Sequence, residues 1–126
     1  MAQTVIEIIK QYDGLDYVCG KNDCNLMVLE LTGFDTSTIE PFNSIKSGRT
    51  NIRAAIDCMT LDEYLIKNNY KEIEYQFLTD GCVVLCGIHA GIWFNGLLFG
   101  VSNRKKFEFQ KIDLDQLSKL QIFKRN

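Results

Sequence analysis

The chain has 126 residues, of which 46% are hydrophobic and 24% are charged, and its formal net charge is −2. This length and composition are typical of one globular domain, so we predict a single domain over residues 1–126. The slightly negative charge argues against a nucleic acid as the main partner, because proteins that bind nucleic acids usually carry a basic surplus.

Neither a signal-peptide pattern nor an apolar run of about 18 residues, the length of a membrane span, is found in the sequence. We therefore expect a protein made in the cytoplasm, with its five cysteines present as thiols and not as a disulfide framework. The spacings Cys19–Cys24 and Cys82–Cys86 do not match a zinc knuckle. We predict neither a metal site nor a cofactor.

The first part of the chain predicts two helices. Apolar residues recur at helical spacing in residues 3–12. A second helix begins near Cys24, where Asn22 or Asp23 can cap its N-terminus, and it ends before Gly33. Cys24 is thus expected in a first helical turn, with its side chain on the apolar face.

The middle of the chain is less regular. Residues 34–50 contain the only proline and predict an ordered loop. Residues 51–59 predict a helix with Met59 among its inward-facing side chains. Thr60 and Glu63 form the pattern of a capping box, which begins a further helix that runs to about Lys67.

From residue 73 the apolar pattern changes to a period of two, which indicates strands. Residues 73–77 predict the first strand, and further strands are expected at 82–86, 89–94, 97–102, 107–109 and 120–123, with one helical turn at 113–117. Asn95-Gly96 is a strong signal for a tight hairpin turn. Helices followed by an antiparallel meander indicate an α+β fold.

One histidine, His89, is present in the chain, and together with Cys24 it forms the obvious candidate for a nucleophile and its base. A helix N-terminus and a neighbouring imidazolium both favour a thiolate, which is the attacking form of cysteine. Histidine can also donate the proton that the leaving group requires. The alternative is that Cys24 only packs in the core, because free cysteines are among the most buried residues.

The predicted hairpin supplies a candidate for a third catalytic residue. A two-residue loop at Asn95-Gly96 places His89 opposite Ser102, whereas a three-residue loop places it opposite Asn103. Either side chain could hold the imidazole in the required tautomer, although neither is an acid. The alternative is that both residues simply begin a polar turn.

Two segments, "YVCGKNDCNLMVLELTGFD" and "DGCVVLCGIHAGIWFNGLLFGV", resemble the NlpC-like group of papain-fold cysteine peptidases. In that group an aromatic residue and a glycine precede an Asp-Cys pair that opens a helix, and a later strand begins His-x-Gly-Ile. Tyr17, Gly20, Asp23-Cys24 and residues 89–92 match these motifs. The ending Thr32-Gly33-Phe34-Asp35 also resembles a short, phage-associated branch of this group, whose members tend to lie among tail-assembly genes.

The resemblance implies a papain-like fold, with N-terminal helices packed on an antiparallel β-meander, a Cys24 nucleophile and a His89 base. It also implies cleavage of amide bonds in peptidoglycan stem peptides, other tail proteins as partners, and a place in the phage virion. The chain departs from the family because no polar residue stands near residues 99–101, which leaves Ser102 or Asn103 to substitute. The resemblance therefore also allows a catalytically inactive structural component of the tail.

Overall fold

The computed structural model describes residues 3–87 and 89–126. This part of the chain contains four α-helices, a short fifth helix and six strands. The helices are α1 (Val5–Tyr12), α2 (Cys24–Leu31), α3 (Ile45–Ile56), α4 (Leu61–Lys67) and α5 (Leu114–Leu117). Two 3-10 helices span Thr36–Thr38 and Tyr75–Phe77. None of the helices in the described ranges combines the length and the apolar character that crossing a membrane requires.

The strands form a single antiparallel sheet in the order β1-β6-β2-β3-β4-β5. They are β1 (Tyr70–Ile73), β2 (Val83–Cys86), β3 (His89–Phe94), β4 (Leu97–Val101), β5 (Phe107–Gln110) and β6 (Gln121–Arg125). The α+β prediction is confirmed. The prediction of a simple meander holds only for β2 to β5, because β6 lies between β1 and β2 and pairs with both.

The sheet separates two clusters of buried side chains. One face packs against the helices α1 and α2, and this cluster contains Ile8, Met27, Leu29 and Phe99. The other face packs a smaller cluster around Leu117 of α5. The helix α2 is buried on nearly all sides, so the prediction of a single apolar face on this helix was too narrow.

The structure corrects the prediction for the middle of the chain. The helix α3 begins at Ile45, six residues before the predicted start, because the Ser44 hydroxyl accepts a hydrogen bond from the backbone N–H of Ser47 and caps the helix. It ends at Ile56, before the left-handed residue Asp57. Met59 lies beyond this end and is 64% exposed, so its predicted inward position was wrong.

Two further local predictions differ from the structure. The predicted strand at residues 73–77 breaks after Ile73, because Tyr75–Phe77 forms a 3-10 helix. The capping box expected at Thr60 is incomplete, since the Glu63 carboxylate accepts its bond from the Met59 N–H instead of the Thr60 N–H. A complete capping box, which was not predicted, is found at Thr4 of α1.

Candidate functional site

The N-terminus of α2 is fixed by Asp23. One carboxylate oxygen accepts a hydrogen bond from the Asn25 N–H at 2.9 Å, which caps the helix, and the other accepts from the Gly20 N–H at 3.1 Å. The carboxylate is almost fully buried, with the residue 3% exposed. Asp23 therefore holds both the helix start and the preceding loop, and this places Cys24 in the first turn of α2.

Cys24 and His89 are brought together from positions 65 residues apart in the sequence. The Cys24 Sγ lies 3.8 Å from His89 Nδ1, at the beginning of β3. The backbone N–H of Ala90 donates a hydrogen bond to the same sulfur over 3.4 Å. This arrangement places a thiol next to an imidazole, the pairing of side chains from which a nucleophile and its base are built.

The ionisation of Cys24 is controlled mainly by burial. Cys24 is 1% exposed, and this burial, with a smaller contribution from the negative charge of Asp23, raises the pKa of Cys24 to about 11. The backbone N–H groups of Ala90, Cys24 and Asn25 favour the thiolate and offset part of this increase. At neutral pH the resting sulfur is therefore a thiol, and it becomes nucleophilic only if its proton is removed during attack.

Tyr17 lies close to the same sulfur. Burial raises the pKa of the Tyr17 phenol, and a hydrogen bond to Cys19 and the charge of Asp23 raise this pKa further. The phenol therefore remains protonated and can act as a hydrogen-bond donor at any pH near neutrality. The resemblance pointed to Tyr17 through its aromatic motif, but the contribution of Cys19 was not predicted from the sequence.

A cavity of about 370 Å³ adjoins the pair. His89, Tyr17 and Cys19 line part of it, and α3 supplies several further lining residues. The buried Cys24 sulfur lies behind this lining and is not part of it. The sequence analysis did not identify four polar residues of the lining, because none of them belongs to the motifs around Cys24 and His89. These residues are Arg49, Arg53, Asp62 and Gln121.

Phe42 connects the loop before Cys24 with α3. A Cβ added at Gly20 would lie 1.9 Å from the Phe42 backbone oxygen, and a Cβ added at Gly48 of α3 would lie 2.7 Å from the Phe42 ring. Gly20 also has a φ of +82°, which favours glycine. Both glycines therefore allow Phe42 to pack closely between the loop and the cavity wall.

The two candidates for a third residue lie in the turn between β4 and β5. The hairpin has the predicted two-residue loop, because Phe94 pairs with Leu97, and this register corresponds to Ser102 opposite His89. The Ser102 hydroxyl donates to the Glu108 carboxylate and accepts from the Arg104 N–H. In the described ranges, the structure gives neither Ser102 nor Asn103 a hydrogen bond to His89, so their proposed orienting role stays a prediction.

No protein-family model matches the chain, and no curated protein matches it.

Proposed function

We propose that the protein is a papain-like, NlpC-type cysteine hydrolase that cleaves amide bonds in peptidoglycan stem peptides and acts in a phage tail. The observation that carries this proposal is the 3.8 Å separation of Cys24 Sγ and His89 Nδ1 beside a cavity. The peptidoglycan substrate and the location in the tail are proposed because the sequence motifs that contain these two residues resemble those of NlpC-like proteins.

In this mechanism His89 accepts the Cys24 proton while the sulfur attacks the scissile carbonyl carbon. The proton is removed during the attack and not before it, because the raised pKa of Cys24 leaves the resting site without a preformed thiolate. The imidazolium then donates the proton to the leaving amine, and a thioester remains on Cys24. Water, deprotonated by His89, hydrolyses the thioester and restores the thiol.

The tetrahedral intermediate carries a negative oxygen that needs donors. The Cys24 N–H is a candidate because it lies in the first turn of α2, where backbone N–H groups have no helical partner. The Tyr17 hydroxyl is a second candidate, since the residue lines the cavity and lies close to Cys24. These donors would stabilise the charge as it forms.

The test compares variants on purified cell wall and on a synthetic stem peptide. Cys24→Ala and His89→Ala should each reduce cleavage by at least about a thousandfold, as expected when a nucleophile or its base is removed. Cys82→Ala is the matched control, because Cys82 is also buried but lies in the second cluster, across the sheet. Equal cleavage by the wild type and both site variants would contradict the proposal.

A second candidate function is a structural tail component that keeps this fold without turnover. The burial of Cys24 favours it, since the sulfur does not line the cavity and its pKa is raised to about 11. Such a protein would assemble with other tail proteins and would not release peptides from cell wall. The same cleavage assay distinguishes the two candidates, because the structural component gives no wild-type activity.

A further inference from the structure

The wall of the cavity that α3 forms has a distinctive composition. Ile45, Arg49, Ile52, Arg53 and Ile56 all line the cavity, and their spacing places them on one face of the helix. The helix contains three cationic residues and no acidic one, although the whole chain has a net charge of −2. This face therefore combines apolar side chains with positive charge.

The two arginines of this face differ in their contacts. The Arg53 Nε donates a hydrogen bond to the Met59 backbone oxygen at 2.7 Å, which fixes that side chain in place. Arg49 is exposed, and its side chain makes neither an ion pair nor a hydrogen bond in the part of the chain that the structure describes. Arg49 therefore lines the cavity as a cation whose side chain has no bound partner among the described residues.

Neither of the two acidic residues that line the cavity, Asp23 and Asp62, forms an ion pair with Arg49 in the described ranges. The Asp23 carboxylate is occupied by the Gly20 and Asn25 N–H groups. The Asp62 carboxylate accepts hydrogen bonds from the side chains of Thr60 and Gln121. The cation without a partner at this site is therefore complementary to an anionic group on a ligand.

We propose that Arg49, supported by Arg53, binds a free carboxylate of an acidic peptide whose backbone lies in the cavity beside His89. This inference rests on the proposed function, because it assigns a specificity to the same site. A guanidinium binds a carboxylate through two parallel hydrogen bonds, which makes arginine well suited to this recognition. The isoleucines of α3 would pack against the apolar part of the same peptide.

A peptide fits the cavity better than an anionic lipid does. The volume of about 370 Å³ suits a short peptide segment. Thr60 and Gln121 also line the cavity, so part of its lining is polar, which suits peptide amides better than an acyl chain. Stem peptides carry free carboxylates between amide bonds, so they possess both features.

The experiment measures binding by calorimetry in the Cys24→Ala background, where no cleavage occurs. The probes are a synthetic stem peptide with free carboxylates, the same peptide with its carboxylates amidated, and dodecanoate. We expect amidation to weaken binding by about 10- to 100-fold, the range for a charge-assisted hydrogen-bonded pair. Arg49→Gln should weaken binding of the acidic peptide similarly and abolish the preference over the amidated one.

Lys46→Gln is the control variant, because Lys46 is a cation of the same helix that does not line the cavity. It should retain the preference for the acidic peptide. The inference is overturned if neither peptide binds, if both bind equally, if Arg49→Gln keeps the preference, or if dodecanoate binds more tightly than the peptide. Binding with the expected preference in a protein that never cleaves the peptide would refute the proposed hydrolysis and leave this inference intact.

Discussion

The thiol of Cys24 should react slowly with a small uncharged disulfide reagent, and the rate should continue to rise to nearly pH 11. With an ordinary pKa of 9.0, about 1% of a cysteine is thiolate at pH 7, whereas a pKa of about 11 leaves about 0.01%. The hundredfold loss of thiolate is partly offset, because a thiolate of higher pKa is about tenfold more nucleophilic. The expected net effect at pH 7 is a reaction about tenfold slower, before any steric hindrance from burial.

The assay is quenched labelling followed by tryptic digestion and mass spectrometry. The tryptic peptide 22–46 contains Cys24 as its only cysteine, and the peptide 11–21 contains only Cys19, so the reaction of each thiol is measured separately in the wild-type chain. The same peptide labelled in the urea-unfolded chain gives the reference rate. A Cys24 rate that reaches a plateau between pH 7 and pH 8 would refute the reasoning, because it would show a stable thiolate paired with an imidazolium.

The same ionisation affects stability with a definite sign. The pKa of Cys24 is higher in the folded chain, so between about pH 9 and pH 11 the unfolded chain loses the proton while the folded chain keeps it. The free energy of unfolding therefore falls across this window, by up to about 3 kcal/mol. Urea unfolding of the wild type and of Cys24→Ser at pH 8 and pH 10.5 isolates the contribution of Cys24, since serine does not titrate in this range. An equal loss of stability in both proteins would contradict the prediction.

Two substitutions test how the loop before the nucleophile is held. Gly20→Ala should cost several kcal/mol in urea unfolding, because its Cβ meets the Phe42 oxygen, whereas Gly14→Ala, with a similar positive φ and open space around it, should cost only about 1 kcal/mol; equal costs would exclude the clash as the cause. Asp23→Asn should cost about 1–3 kcal/mol, since one of its two buried bonds loses its acceptor. Asp35→Asn, at an exposed cap, should change stability by less than about 0.5 kcal/mol; a comparable loss at both positions would show that burial of the carboxylate is unimportant.

Much of the site was accessible from the sequence because its signals are local. Asp23 is followed by an apolar run and precedes Gly33, and this is enough to place a helix start at Cys24. Asn95-Gly96 fixes a two-residue turn, and Asn95 and Gly96 both have the positive φ values that this turn demands. Such features depend on neighbours in the chain, so pattern and structure agree.

The predictions that failed depend on signals that apolar periodicity does not carry, namely a local cap or a contact between distant segments. The early start of α3 depends on Ser44, whose capping role is hidden in a polar stretch without apolar periodicity. The insertion of β6 between β1 and β2 depends on pairing across the whole sheet, which an alternating pattern does not encode. Arg49 belongs to the cavity only because α3 begins early and lines the same cavity as His89, and a single cation on a helix gives no signal of that position.

The position of β6 also has a consequence for how the chain folds. Among the described strands, β1 pairs only with β6, and β2 loses one of its two neighbours when β6 is absent. During synthesis the segment that contains β1 therefore has no sheet partner until residues 121–125 leave the ribosome, although β2 to β5 can already form hairpins with near neighbours. We expect the closing of the sheet to be a late step, since it joins segments about 50 residues apart and must offset the entropy of that large loop.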